Sequence, residues 1–142
     1  MTLDRAGIER LVPHAGAMCL LDAVSSWGPH SIVCTSAAPS NAHSLARGES
    51  VPAIVAAEYA AQATAVHGAL LEPCAHPRAG MLASLVDVRL ARPTLPPEAL
   101  SIRTDLLSRS SGGCLYSFDV TTASGPVASG RLMVALLAEG KS

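Results

Sequence analysis

Between positions 51 and 71 the chain reads VPAIVAAEYAAQATAVHGALL, and no other stretch restricts its fold as strongly. Nearly every residue there is alanine or aliphatic, and Pro52 suits the first turn of a helix, where a missing N–H costs nothing. A helix over 51–71 would run roughly 31 Å at ~1.5 Å per residue, close to a membrane span. Glu58, Gln62 and His67 all fall inside it, however, and a carboxylate moved into lipid costs several kcal/mol. The segment therefore predicts a helix that is apolar nearly all round and wrapped by its own protein, with alanines letting other backbone approach closely.

The wrapping is readable downstream. Leu100, Ile102, Thr104 and Leu106 alternate with Ser101, Arg103, Asp105 and Leu107, and Cys114, Tyr116, Phe118 and Val120 alternate with Leu115, Ser117, Asp119 and Thr121. Residues 127–138 form a third apolar run and 80–91 an earlier, looser one. The breaks at 93–97, 108–113 and 124–126 are too short for crossover helices, so strands following one another in sequence should pair antiparallel. Upstream, 3–11 reads as a short helix closed by Pro13. Residues 18–27 and 31–38 read as a hairpin around Gly28-Pro29, and 39–50 as a polar loop. One long buried helix followed by a meander implies an α+β hot-dog fold, a curved antiparallel sheet around a central helix. With 142 residues the expectation is a single domain over 1–142.

Charge and cysteine usage narrow the function. Ten Lys+Arg against eleven Asp+Glu, with Lys141 the only lysine and 3% aromatics, offer no grip on nucleic acid. Residues 1–10 mix charges of both signs, unlike a signal peptide, so a cytoplasmic protein is expected. Cys19, Cys34, Cys74 and Cys114 form no Cys-x-x-Cys and read as buried thiols, with disulfides the alternative. Cys74-Ala-His76 lacks companions for a zinc site, and no cofactor motif occurs.

Chemistry centres on the helix. Glu58 and Gln62 are four residues apart and share a face, whereas His67, nine residues on, faces about 180° away. A carboxylate among alanines needs a partner, a raised pKa or a cleft. It is either structural, bonded to a neighbouring loop, or it exchanges protons with a substrate. His43, 15 residues earlier in the polar loop, is the natural partner, either a solvated loop histidine or a base working near neutral pH. His14, His30 and His76 sit beside turns, and His67 reads as a core or interface residue.

Two stretches carry a family resemblance. Leu11-Val-Pro-His-Ala-Gly-Ala-Met-Cys-Leu-Leu-Asp-Ala-Val24 resembles the opening of bacterial 3-hydroxyacyl-(acyl-carrier-protein) dehydratases, with its Pro-His and Leu-x-Asp-x-Val. Pro52, Glu58, Ala61 and Gln62 match the spacing of their helix motif, and Val-Pro followed by Glu-Tyr-x-Ala-Gln resembles the small dehydratase-like proteins of aryl-polyene clusters. The loop departs by one residue, since the family's His stands 14 before the Glu, and the family's Pro-Gly is Pro52-Ala53 here.

The resemblance implies β-elimination of water from a 3-hydroxyacyl thioester without a cofactor. His43 would take the α-proton, Glu58 would protonate the departing hydroxyl, Gln62 would orient Glu58, and backbone N–H groups of Ala53 and Ile54 would hold the enolate oxygen. It also implies a site shared between subunits, in a homodimer or higher oligomer or in a heterodimer with a related dehydratase. The acidic acyl carrier protein would dock on arginines, with Arg47, Arg78, Arg89 and Arg92 as candidates. The competing expectations are a hot-dog thioesterase, in which the helix Glu activates water, and a non-catalytic hot-dog subunit.

Overall fold

The computed structural model describes residues 2–11, 19–39, 43, 45–48, 50–71, 80–110 and 112–136, with backbone alone at 80–83 and 136. Strand β1 (Leu3–Asp4) leads into helix α1 (Arg5–Leu11). The hairpin β2 (Ala23–Gly28) and β3 (Ser31–Ser36) follows, then a 3-10 turn (Ala53–Val55) and helix α2 (Ala56–Leu71). Strands β4 (Gly80–Leu90), β5 (Leu100–Ser110), β6 (Gly113–Thr122) and β7 (Gly125–Leu136) complete the fold. All seven strands join one antiparallel sheet packed against α2, the hot-dog arrangement.

The expected meander is broken at one place. The sheet order is β1-β2-β3-β5-β6-β7-β4, so β4 pairs with β7 and not with its successor β5. The proline-rich connection at 91–99 crosses the sheet and is tied to the start of the helix segment instead. Ala53 N–H donates to Pro93 O at 3.0 Å, and Leu95 N–H to Val51 O at 2.8 Å. The helix also begins later than its apolar run, because residues 53–55 wind as a tighter 3-10 turn before α2 starts at Ala56. At the N-terminus, Leu3 and Asp4 pair with β2, so only 5–11 are helical. Asp4 caps that helix by accepting the Gly7 N–H at 2.9 Å.

The alternation in β5 and β6 reads out as burial. Leu100, Ile102 and Thr104 with Tyr116, Phe118 and Val120 face α2, while Arg103 and Asp119 pair on the outer face. The helix presents Ala56, Tyr59, Ala60, Ala63, Val66 and His67 to this core. Burying each large apolar side chain contributes roughly 1.5–3 kcal/mol. Gly130, at φ +157, lets β7 pass under the β4 bulge, since a Cβ there would lie 3.0 Å from Val88 Cα. Cys19 and Cys34 are free, and burial pushes the Cys34 thiol up to about 12, so it stays protonated. No helix among the described residues is long and apolar enough to cross a membrane.

His67 is a core residue with 0% exposure. Its Nε2–H donates to Gly28 O at 2.7 Å, which leaves Nδ1 to accept the Tyr116 hydroxyl at 2.7 Å. Both bonds are satisfied by the neutral ring, and burial holds its pKa below the usual 6.5. Below about 6.5 the unfolded chain therefore binds a proton that the folded chain refuses. Stability should be full above that pH and fall as the pH drops toward the lowered folded value. His67→Gln can keep both hydrogen bonds without titrating, so urea midpoints measured from about pH 8 to pH 5 should show a flatter acid slope for the variant. An unchanged slope would remove His67 as its source.

Candidate active site

The loop entering α2 is built to hold one imidazole. Ala46 N–H donates to His43 O at 3.0 Å, and Leu45 N–H donates to His43 Nδ1 at 2.9 Å, so the ring caps its own turn. A neutral imidazole has one acceptor nitrogen, so the proton must sit on Nε2, which faces Tyr59 Oη at 2.9 Å. His43 is half-buried, and burial lowers its pKa from the usual 6.5. The ring is thus neutral near pH 7.

Tyr59 sits on α2 next to Glu58 and is 1% exposed. Ser36, at the end of β3, acts on the same hydroxyl and favours its ionised form, while its own Oγ donates to Ala37 O at 3.1 Å. Asp22 braces the same corner. It accepts Arg5 Nη1–H at 3.1 Å and Ala37 N–H at 2.6 Å, while Arg5 Nη2–H donates to Cys19 O at 2.6 Å. The Leu-x-Asp motif therefore ties α1 to the exit of β3, from which the His43 loop departs.

Glu58 departs from expectation. It is exposed, on a stripe with Ile54, which is 45% exposed, and the half-buried Ala61 and Ala65. The helix rests one side on a single sheet, so its opposite side is uncovered among the described residues. Glu58 and Tyr59 are successive residues, about 100° apart round the helix. One points out and the other in, so His43 of the same chain is bonded to the inward neighbour of Glu58.

Two supporting assignments need correction. Gln62 is 5% exposed, and its Oε1 accepts the Leu20 N–H at 2.8 Å, fastening the segment before β2. Its side chain is therefore committed at least in part to that segment. Ala53 N–H is spent on Pro93 O, so it is not an oxyanion donor, and of the pair only Ile54 carries forward. Arg47 and Arg92 flank the start of the helix segment through the Arg47–Ser50 and Pro52–Thr94 bridges, whereas Arg89 lies on β4 opposite Ser129. Arg78 and His14 lie outside the described residues. Tyr59 and Ser36 are the residues that sequence reasoning missed. The available signal was that Tyr59 is the one aromatic in the alanine-rich helix, placed beside its carboxylate.

Comparison with known proteins places the fold. The family model described as ApeP-like, ApeP dehydratase, matches residues 6–140. Among solved structures, the dehydratase heterocomplex ApeI:P from Xenorhabdus doucetiae superposes with TM-score 0.82 at 21% identity, covering 93% of this chain and 91% of that one. A hypothetical thioesterase bound to coenzyme A from Streptococcus pneumoniae gives TM-score 0.61 at 13% identity, over 81% and 84% of the two chains. A thioesterase from Haemophilus influenzae gives 0.61 at 13%, over 83% and 79%. These likenesses establish the shared fold. No curated protein sequence matches the chain.

Proposed function

Because the chain belongs to the ApeP-like dehydratase family, we propose that this dehydratase eliminates water from a 3-hydroxyacyl thioester on an acyl carrier protein, in fatty-acid-like or polyene biosynthesis, with His43 and Glu58 as base and acid. The observation that supports the pair most directly is the 2.9 Å bond between His43 and Tyr59, the helix neighbour of Glu58. The loop imidazole is thereby fixed against the helix that carries the carboxylate, where a second subunit can bring its own imidazole to Glu58.

His43 removes the proton α to the thioester carbonyl, and the C–H electron pair forms the new double bond as the C–O bond of the 3-hydroxyl breaks. Glu58 delivers a proton to the departing oxygen, so water leaves and the trans-2-enoyl thioester stays on its carrier. The imidazolium then loses its proton to solvent and Glu58 regains one. The developing enolate oxygen lies at the start of the helix segment, with Ile54 N–H as its donor. Arg47 and Arg92, beside the same helix start, and Arg89 on β4 are the cations offered to an acidic carrier.

A second hot-dog subunit completes the site. Among the described residues the Glu58 stripe is open, and β4 is an edge strand with Leu85, Val86 and Leu90 between 36% and 45% exposed. Such an edge is a template for pairing. The partner is a second copy or a related dehydratase subunit, as in the ApeI:P heterocomplex, and it supplies the imidazole that faces Glu58.

The test is an assay on 3-hydroxyacyl carrier thioesters, with the chain alone and together with a second dehydratase subunit. Growth of enoyl absorbance without release of free thiol is the expected result. Thiol release without enoyl absorbance would replace this reading with the thioesterase one.

A further inference from the structure

We propose that Tyr59 is the positioning residue for His43, its hydroxyl accepting Nε2–H and so holding the ring in the tautomer in which Nδ1 is the basic nitrogen. The inference rests on the reading of His43 as the base. The bonds around the ring run in one direction. Leu45 N–H donates to Nδ1, so Nε2 carries the proton and donates it to Tyr59 Oη.

This has a consequence for the chemistry. The nitrogen with the lone pair is Nδ1, and in the resting structure it is shared with the Leu45 amide. Substrate must displace that N–H to offer its α-proton, and Nδ1 then forms the new N–H bond as the C–H bond breaks. Throughout, Nε2–H stays on Tyr59 Oη, and that bond strengthens once the ring is cationic. Tyr59 thus does for this imidazole what a third group does in other base–orienter pairs. It acts as a phenol, because burial raises its pKa by more than Ser36 lowers it, and Asp22, the charged group acting on it among the described residues, opposes its ionisation further. No phenolate stands ready to take the substrate proton in place of His43.

Tyr59→Phe keeps the buried ring and deletes only the hydroxyl. Three readouts are expected to move together. The kcat should fall about tenfold with KM little changed, as expected for a misplaced base. The His43 pKa, read by imidazole NMR, should drop below its wild-type value, carrying the acid limb of kcat/KM to lower pH. The Nε2 proton signal should lose its protection from exchange. Ser36→Ala, which leaves the His43–Tyr59 bond in place, should give a smaller change in the same direction and guards against a folding defect in the first variant. Wild-type kcat, His43 pKa and proton exchange in Tyr59→Phe would overturn the proposal while leaving the base assignment standing. Full activity in His43→Ala would overturn the base assignment itself.

Discussion

Glu58→Gln should lower dehydration by about 10³-fold without loosening the fold, the largest effect expected of any single substitution here. Glutamine is nearly isosteric and retains a hydrogen-bonding head, but it has no proton to deliver to a leaving hydroxyl. The side chain is exposed on α2 and contributes nothing to the core, so its replacement should shift the denaturation midpoint by less than ~0.5 kcal/mol equivalent. A large rate loss with an unmoved midpoint separates chemistry from architecture. Assembly must be followed in parallel by sedimentation, since the stripe that carries Glu58 is the one offered to a second subunit. Equal loss of rate and of assembly would assign Glu58 to the interface instead.

His43→Ala comes second, with an expected loss of about 10²-fold or more in kcat. The ring makes two bonds in the loop, to Leu45 N–H and Tyr59 Oη, so the alanine variant also frees the turn that precedes α2. His43→Gln restores bonding groups without basicity and should be nearly as slow, which distinguishes loss of the base from loss of the turn. The neutral ring is the active form, and its pKa is lowered by burial. Activity should therefore be sustained above the usual imidazole value near 6.5 and decline only below it. If His43→Ala turns over at the wild-type rate and His14→Ala does not, the base belongs to the Pro-His segment.

Much of the fold was legible because its periodicities are strong. The alternation in β5 and β6 translated directly into inner and outer faces, and the alanine-rich run into α2. What period alone could not convey was placement. Nothing in residues 91–99 reveals that β4 lies at the far edge beside β7, because that depends on the Pro93 and Leu95 bonds to the helix start, contacts some forty residues apart in sequence. Nor does apolarity reveal which side of a helix its own sheet will leave bare. Glu58 therefore looked enclosed, yet among the described residues it is open.

The site divides in the same way. Spacing brought His43 and Glu58 together on chemical grounds, and the loop indeed returns to the helix, but to Tyr59. Gln62 shares the Glu58 face by helical geometry, but its oxygen was claimed by the Leu20 amide 42 residues away. Ala53 N–H was offered to an oxyanion and is consumed by a crossing loop. In each case a backbone group from a distant segment competes for the same side chain or amide, and local spacing carries no trace of that competitor.

The most direct test is the mass of the acyl group on its carrier after incubation with the wild-type assembly and with Glu58→Gln. The wild type should remove one water from the 3-hydroxyacyl chain and leave the thioester intact, and the variant should leave the hydroxyacyl mass unchanged over the same interval. Detachment of the acyl chain from the carrier, or water loss at equal rates in both proteins, would contradict the account.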